Sequence, residues 1–301
     1  MRNTQGLGAP YRWLGEAFSL CNRSWGTVLG GSALLVAVAV APTALQLLLQ
    51  AAMPGLGSWL QIFTTVLGLV LMPPALGGFF RILQALDRRQ PTSAAHVLSL
   101  YSEAPVAQRL ILCNLLFAVG TLLAMVALVY AVGGQALLDY LQALAAIKPG
   151  ATAADLPAIP PGTLTVVGLL LLIALFVTTA QQLAAAQIAL GRGEVMGATG
   201  DGVIATLRHA AGLLLFYLPV LLVGMLVTMV VAVVAAVVAT ALALVSASLA
   251  AALVGLGVLA LLVPLYGLML AFFYRAWLAL LAPAPAADAA TPPAPPHEIA
   301  A

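Results

Sequence analysis

The uncharged polar side chains that could take part in chemistry are concentrated in one stretch, Thr178-Thr179-Ala180-Gln181-Gln182. Hydroxyl and amide groups both donate and accept hydrogen bonds, so they can hold an uncharged polar group of a substrate. Thr178, Thr179, Gln181 and Gln182 therefore form a candidate polar pocket. The alternative is that the same groups join neighbouring helices by hydrogen bonds and bind no substrate.

Four arginines form a second set of candidates, because a guanidinium group binds phosphate well. Arg23, Arg81, Arg109 and Arg208 each lie next to a long run of apolar residues. At a membrane surface such arginines can contact anionic lipid headgroups, for about 1 kcal/mol each. The alternative is that they only fix the orientation of the chain in the membrane.

Patterns typical of enzymes and metal sites do not occur in the sequence. His96, His209 and His297 lack the spacing of metal ligands. There is no Gly-x-Ser-x-Gly nucleophile motif, and the glycines around Arg192 lack the spacing of a nucleotide-binding loop. We therefore predict no catalytic, cofactor-binding or metal-binding residues, no enzyme activity and no nucleic-acid partner.

The hydropathy of the sequence indicates the helices on which these residues lie. Of 301 residues, 63% are hydrophobic and 7% are charged, against about 25% charged residues in an ordinary soluble domain. The chain has no Asp, Glu, Lys or Arg between Ser24 and Phe80, or between His209 and Tyr274. A membrane-spanning helix needs about 20 apolar residues, so each of these runs can cross a bilayer twice. We predict an all-α, polytopic membrane protein.

Turn-forming residues divide the apolar sequence into six predicted spans, at residues 26–49, 60–78, 110–132, 163–185, 213–239 and 249–273. With these spans, all ten arginines fall on one side of the membrane and Lys148 alone falls on the other. Short cytoplasmic loops carry an excess of Lys and Arg. We therefore expect a bundle of six transmembrane helices with both termini in the cytoplasm.

A unit of similar organisation recurs three times, at residues of about 10–91, 92–194 and 195–282. Each unit has an amphipathic stretch that ends near an arginine and is followed by two spans. The apolar residues of the three stretches are Tyr11, Leu14, Phe18 and Cys21; Val97, Leu100, Tyr101 and Ala104; and Val203, Ile204 and Leu207. We predict three parallel helical-hairpin repeats, each preceded by an amphipathic helix on the inner leaflet.

Two segments fall outside the predicted spans. Residues 135–161 should form an external loop that contains a short helix near residues 136–141. Residues 283–301 are rich in Pro and Ala, so we expect a disordered cytoplasmic tail after a single transmembrane domain at residues 1–282.

Three groups of residues in the first third of the chain are distinctive, namely Tyr11-Arg12-Trp13-Leu14, Leu71-Met72-Pro73-Pro74 with Gly77-Gly78, and Arg88-Arg89. In these residues the chain resembles a family of uncharacterised bacterial inner-membrane proteins. The resemblance implies residence in the bacterial inner membrane. The chain is also similar, more distantly, to the membrane domain attached to some glycerophosphodiester phosphodiesterases, but no hydrolase domain is found within its 301 residues, so that activity is not implied.

The centres of the six predicted spans hold no ionisable residue, whereas ion-coupled transporters usually need such residues within the membrane. We therefore predict a non-enzymatic scaffold, accessory subunit or envelope factor of the inner membrane. Its expected partners are membrane lipids and either a second copy of the chain or another membrane protein. The alternative is a passive transporter of lipids or small solutes, with a cavity that includes Gln181 and Gln182.

Overall fold

The computed structural model describes residues 6–53, 55, 57–145, 157–191, 193–243 and 246–282. In this part of the chain the regular structure is helical and no strand occurs. The α-helices are α1 (Ala9–Arg23), α2 (Trp25–Ala52), α3 (Gly57–Asp87), α4 (Ala104–Leu128), α5 (Gly134–Ala145), α6 (Thr163–Ala189), α7 (Val195–Arg208), α8 (Ala210–Ala243) and α9 (Ala247–Leu280). A 3₁₀ segment, Ala94–Ser102, precedes α4, and a π-helical turn, Val129–Gly133, joins α4 to α5.

The long helices have the length and hydropathy of membrane spans. Among the described residues, five ranges meet both conditions: Trp25–Ala52, Gly57–Asp87, Ala104–Val132, Thr163–Ala189 and Gly257–Leu280. A sixth span results if α7 and the start of α8, which meet at a bend of 76°, are counted together. The prediction of an all-α protein with several apolar helices of membrane length is therefore confirmed.

Helix α3 continues beyond the predicted second span. Residues 60–78 are predicted, whereas α3 continues to Asp87 and includes Arg81. Phe79 and Leu83 in the added part are fully buried. Burying a large apolar side chain contributes about 1.5–3 kcal/mol, so packing against other helices extends α3 beyond the first charged residue.

Consecutive long helices pack in pairs, α2 with α3, α4 with α6, and α8 with α9. The second helices of the three pairs, α3, α6 and α9, also contact one another. The core to which they contribute includes Phe79, Leu83, Ala186, Ala189 and Phe272, all fully buried. Helices α3, α6 and α9 therefore form the centre of the described bundle.

The C-terminal ends of these three central helices lie together. Arg81 of α3 donates a hydrogen bond of 3.0 Å to the backbone oxygen of Ala189 in α6. Arg275 of α9 donates one of 2.6 Å to Asp87 of α3. We call this end of the bundle the arginine end.

Three short segments, α1, the 3₁₀ segment and α7, each precede a helix pair in the chain. Each of them packs mainly against a different pair. The 3₁₀ segment contacts α3 and α2, α7 contacts α6 and α4, and α1 contacts α9 and α8. Segments between two pairs thus cover the preceding pair, and α1, at the start of the chain, covers the last one.

The apolar residues that predict a place for α1 at the membrane surface are exposed in part, and a further side of α1 is buried in the protein. Tyr11 and Phe18 are 47% and 61% exposed. The buried side of α1 instead carries Trp13 and Leu20, and the Trp13 ring lies 6.1 Å from that of Phe272 in α9. Because α1 has apolar residues on more than one side, their spacing did not identify the side that faces the protein.

Helix α7 has the same arrangement as α1, with apolar side chains outside and a separate side buried in the protein. Ile204 and Leu207 are exposed, whereas Ala198 and Gly202 are buried. A Cβ atom at position 202 would lie only 2.5 Å from the backbone oxygen of Ala180 in α6. Small residues therefore bring α7 against α6, and the large apolar side chains remain outside.

The outer surface of the bundle is strongly apolar. Five leucines on α2, α4 and α8 are each more than 60% exposed, namely Leu47, Leu48, Leu122, Leu123 and Leu222. Monomeric soluble proteins rarely expose contiguous apolar surfaces of this kind. An apolar solvent around the long helices accounts for this surface.

Helix α5 confirms that the segment after α4 contains a short helix. Arg2, Lys148, Arg192 and the predicted tail at residues 283–301 lie outside the described residues.

Candidate functional site

The predicted polar pocket is not assembled as a single site. Thr178, Thr179, Gln181 and Gln182 all lie on α6, where successive residues turn by about 100°. Their side chains consequently meet different neighbours. Thr178 is exposed and the other three are buried or half-buried.

Thr179 links α6 to α8. Its hydroxyl oxygen lies 2.7 Å from the phenolic oxygen of Tyr217 and donates to the backbone oxygen of Leu175 at 2.8 Å. Both Thr179 and Tyr217 are almost fully buried. Because the Thr179 proton is directed to Leu175, the phenol of Tyr217 is the donor of the hydrogen bond between the helices.

Gln181 links α6 to α4 and, through α4, to α3. Its amide nitrogen donates to Asn114 Oδ1 at 2.6 Å, and Asn114 Nδ2 donates to the backbone oxygen of Leu69 at 3.3 Å. These amides serve the alternative expected from the sequence, which is to hold helices together.

Gln182 is 9% exposed, and its Oε1 atom has no hydrogen-bond partner among the described residues. It therefore belongs neither to the Thr179–Tyr217 pair nor to the Gln181–Asn114 chain. Thr179, unlike Gln182, lines a large cavity in the described part of the chain.

That cavity is a cleft of about 580 Å³ between α6 and α8. Its walls are apolar apart from a few hydroxyl groups, and they include Ala124, Leu172, Phe176, Leu213, Leu214 and Tyr217. We call it the α6–α8 cleft. Tyr217 is the residue that sequence reasoning missed, although a tyrosine inside an apolar span generally needs a partner for its hydroxyl group.

The position of the cleft follows from the packing of the pairs. Helix α3, the second helix of the first pair, packs against α4, the first helix of the second pair. In the same way α9, the second helix of the third pair, packs against α2, the first helix of the first pair. Among the described residues, α6 and α8 do not form such a close pair, and the cleft lies between them.

Arg81 was predicted to contact lipid headgroups, but its side chain binds other groups of the same chain. Its guanidinium forms an ion pair with Glu103 at the start of α4 and donates to Ala189. The hydrogen bond from Arg81 is the main reason why the pKa of the Glu103 carboxyl is lowered. Such a carboxylate-paired guanidinium is less available for a lipid phosphate.

The other three predicted arginines, Arg23, Arg109 and Arg208, are exposed. Arg23 lines a groove with Arg89 and Gln90. Arg208 lines a small cavity at the bend between α7 and α8. The arrangement therefore leaves these three arginines accessible at the surface.

The ion pair between Arg275 and Asp87 was missed by sequence reasoning. The side chains are 15% and 26% exposed, and the hydroxyl of Tyr274 also donates to Asp87, at 3.3 Å. The sequence shows both charges but does not show that they meet, because 187 residues separate Asp87 from Tyr274.

The two cysteines are further groups of chemical interest. Both cysteines are free and buried, and burial raises the pKa of the Cys21 thiol to about 11. The described residues contain no group of three or more His, Cys, Asp or Glu side chains that could hold a metal ion.

Comparison with known proteins gave no match to a family model, to a curated protein or to a solved structure.

Proposed function

We propose that the chain is a multi-pass protein of the bacterial inner membrane that acts as a non-enzymatic scaffold, accessory subunit or envelope factor. The observation that carries this proposal is the solid centre formed by α3, α6 and α9. Their buried side chains fill the interior, and Arg81 and Arg275 tie their ends together. A centre closed in this way favours a fixed assembly platform.

The proposed topology has six spans, three parallel hairpins and both termini in the cytoplasm. The arginines at the ends of α1, α3, α7 and α9 support this orientation, because positively charged loops stay inside. The contacts of α3, α6 and α9 with one another support three related hairpins. Accessibility of single cysteines introduced near Arg88 and near Gly162 tests the orientation: a membrane-impermeant thiol reagent applied to intact cells should label only the second.

The short segments are proposed to lie at the inner leaflet. Exposed apolar side chains on α1 and α7 support this location, since Phe18 is 61% and Met196 74% exposed. An apolar side beside arginines is typical of helices at a membrane surface.

The scaffold proposal is tested by extracting the tagged full chain with its native lipids in polymer nanodiscs and identifying co-purifying proteins by mass spectrometry. We expect one membrane protein in stoichiometric amount, recovered again when that partner carries the tag. An unrelated multi-pass protein treated in the same way is the control. A deletion strain with normal membrane complexes that loses uptake or efflux of a defined solute would contradict the proposal.

A second candidate function, passive handling of lipids or small solutes, is favoured by the α6–α8 cleft. Its apolar walls, with only a few hydroxyl groups among the described lining residues, suit an acyl chain better than a hydrated solute. Liposomes that contain the purified chain test this function by lipid scrambling and solute flux. Rates equal to those of protein-free liposomes would contradict it.

A further inference from the structure

Four of the long helices contain proline away from their ends. Proline lacks the N–H group that would bond to the backbone oxygen four residues earlier, so it weakens a helix and bends it. Helices α4 and α6, the middle pair, have no proline in their interiors. The first and third pairs have such weak points, at Pro42 in α2, Pro73 and Pro74 in α3, Pro219 in α8 and Pro264 in α9.

The prolines of α3 and α8 separate a buried part of the helix from a more exposed part. In α3, residues 73–80 are buried, whereas Val66 is 53% exposed. In α8, Tyr217 before the proline is buried, whereas Leu222 after it is 62% exposed. A part of a helix with few buried contacts can move separately from the rest. We call the parts beyond the prolines, residues 57–72 of α3 and 220–243 of α8, the distal arms.

The carbonyl group freed by Pro73 is bound by a side chain of another helix. It belongs to Leu69, four residues before Pro73, and it accepts a hydrogen bond of 3.3 Å from Asn114 Nδ2 of α4. Asn114 is in turn held by Gln181 of α6, whose amide nitrogen donates to Asn114 Oδ1 at 2.6 Å. The donor that replaces the missing backbone N–H group therefore comes from the middle pair.

The carbonyl group freed by Pro219 is bound in the same way, by a side chain of α1. It belongs to Leu215 and accepts a hydrogen bond of 3.2 Å from the hydroxyl group of Tyr11. The ring of Tyr11 also meets the ring of Phe216 edge to face, with 5.4 Å between the ring centroids. Helix α1 therefore holds α8 one turn before its proline.

These two hydrogen bonds differ from ordinary contacts between helices because of the acceptors they serve. In apolar surroundings no water can bond to a freed backbone oxygen, so a proline within a membrane helix needs a donor from the protein. A donor on another helix also fixes the direction of the bend, because the freed oxygen must face that donor. When the donor is lost, the restraint is lost and the weak point of the helix remains.

We propose that Pro73 and Pro219 are hinges and that Asn114 and Tyr11 are their latches. With its latch bonded, a distal arm has the direction seen in the structure. With the latch broken, the arm turns about the proline while the buried part of its helix stays in place. This inference goes beyond the proposed function and does not depend on it, because the movement of an arm is measured without any partner.

Distances between spin labels test the proposal, measured by pulsed electron paramagnetic resonance on the full chain in lipid nanodiscs. Labels are attached to Leu226→Cys on the arm of α8 or Val66→Cys on the arm of α3, each paired with Leu207→Cys of α7. All three positions are exposed. Helix α7 is the reference because it packs against α6 and α4. The unsubstituted chain, whose two cysteines are buried, gives the labelling blank.

Tyr11→Phe removes the hydroxyl group of the α8 latch and keeps the ring. One net hydrogen bond corresponds to about a two- to twelvefold change in the ratio of two conformers. A second distance between residues 226 and 207 should therefore gain population by this factor, and the distance between residues 66 and 207 should stay the same. Tyr130→Phe, which removes an exposed hydroxyl group, is the matched control. An unchanged distance distribution in Tyr11→Phe would overturn the proposal.

Removal of the proline tests whether the freed carbonyl group is the reason for the effect. In Pro219→Ala the new backbone N–H group can bond to the oxygen of Leu215, so the latch is no longer needed. Tyr11→Phe added to Pro219→Ala should then leave the distance between residues 226 and 207 unchanged. A hydroxyl group that merely joins α1 to α8 would act equally with and without Pro219→Ala, and that result would contradict the hinge.

The α3 latch gives a second, independent test. Asn114→Leu should add a second distance between residues 66 and 207 and leave the distance between residues 226 and 207 unchanged. The substitution also breaks the bond to Gln181, so Gln181→Leu, which breaks that bond and leaves the Asn114 donor in place, is the matched control. Pro73→Ala should suppress the effect of Asn114→Leu. Equal effects of Asn114→Leu and Gln181→Leu, or an effect that persists in Pro73→Ala, would show that Asn114 is not a latch.

Discussion

The junction between α2 and α9 and the junction between α6 and α8 are built from different side chains. At the first, Gly267 of α9 faces Ser32 of α2, and a Cβ atom at position 267 would lie 2.3 Å from the Ser32 hydroxyl oxygen. At the second, Thr179 meets the long side chain of Tyr217, and a cleft of about 580 Å³ remains. Small residues allow two helices to approach each other closely. An aromatic side chain between two helices holds them apart, and space remains beside it.

The difference separates structural contacts from binding contacts. The closed junction has no room for a ligand, so its residues act on stability alone. The open junction contributes less to stability and provides the space that a lipid chain can fill. Substitutions at the two junctions should therefore affect different measurements.

The largest effect is expected where glycine allows the closest approach. In Gly78→Ala the new Cβ atom would lie 2.1 Å from the backbone oxygen of Val97, and backbone atoms cannot move aside as side chains can. The 3₁₀ segment must then shift from α3, which should cost at least about 1–3 kcal/mol. Thermal unfolding in detergent measures the loss. Gly68→Ala on the same helix, with its nearest contact at 3.9 Å, should change little, and equal effects of the two substitutions would show that close packing is not the cause.

The α2–α9 junction itself should be less sensitive. In Gly267→Ala the closest atom is the Ser32 hydroxyl oxygen, which can move by rotation of its side chain. The rotation breaks the hydrogen bond of 2.8 Å from Ser32 to the backbone oxygen of Val28. A net hydrogen bond contributes about 0.5–1.5 kcal/mol, and we expect destabilisation of this order.

The unfolding midpoint of Gly267→Ala should be compared with that of Gly257→Ala, which lies on the same helix with open space around it. Liposomes that contain either variant should scramble lipids at the same rate. A loss of lipid scrambling in Gly267→Ala alone would break the distinction between the closed and open junctions.

At the open junction, Tyr217→Phe removes the hydrogen bond between α8 and α6 and keeps the aromatic ring. Thr179 retains its bond to Leu175, so no buried hydroxyl is left without a partner. Hydrogen bonds between membrane helices contribute about 0.6 kcal/mol on average, and the loss of stability should be of this size. Tyr130→Phe, at an exposed position, is the control. If Tyr217→Phe loses more stability than Gly78→Ala, the hydroxyl pair contributes more to the stability of the bundle than close packing does.

The helices of this fold could be predicted from sequence because lipid leaves the backbone few alternatives. An apolar run of about 20 residues in a bilayer must satisfy its backbone groups internally, and an α-helix does so. The end of α3 could not be predicted in this way. Arg81 marks a boundary in the sequence, but its charge is balanced by Glu103, which is visible only when the two helices are packed.

The candidate site was predicted less well, for a related reason. Thr179 and Arg208 were predicted to bind ligands, and both line cavities. Gln181 follows Thr179 by two residues, yet helical rotation turns it toward Asn114. Tyr217 and Trp13 complete the cavities from α8 and α1. Residues that are distant in the chain build these spaces, and no local pattern indicates which of them will meet.

The smallest expected effect concerns charge at a third closed contact, between α3 and the start of α4. Arg81 lowers the pKa of Glu103 in the folded chain, so the ion pair stabilises the fold above the ordinary pKa of glutamate, and this contribution is lost as the pH falls through the lowered value. Glu103→Gln should therefore reduce stability slightly near neutral pH and weaken its dependence on pH between about pH 5 and pH 3. Unfolding midpoints across that range, with Glu194→Gln as the control, measure the difference. If Glu103→Gln and the wild-type chain lose stability in parallel on acidification, the ion pair contributes nothing to closing this contact, and the small residues and apolar side chains must account for it entirely.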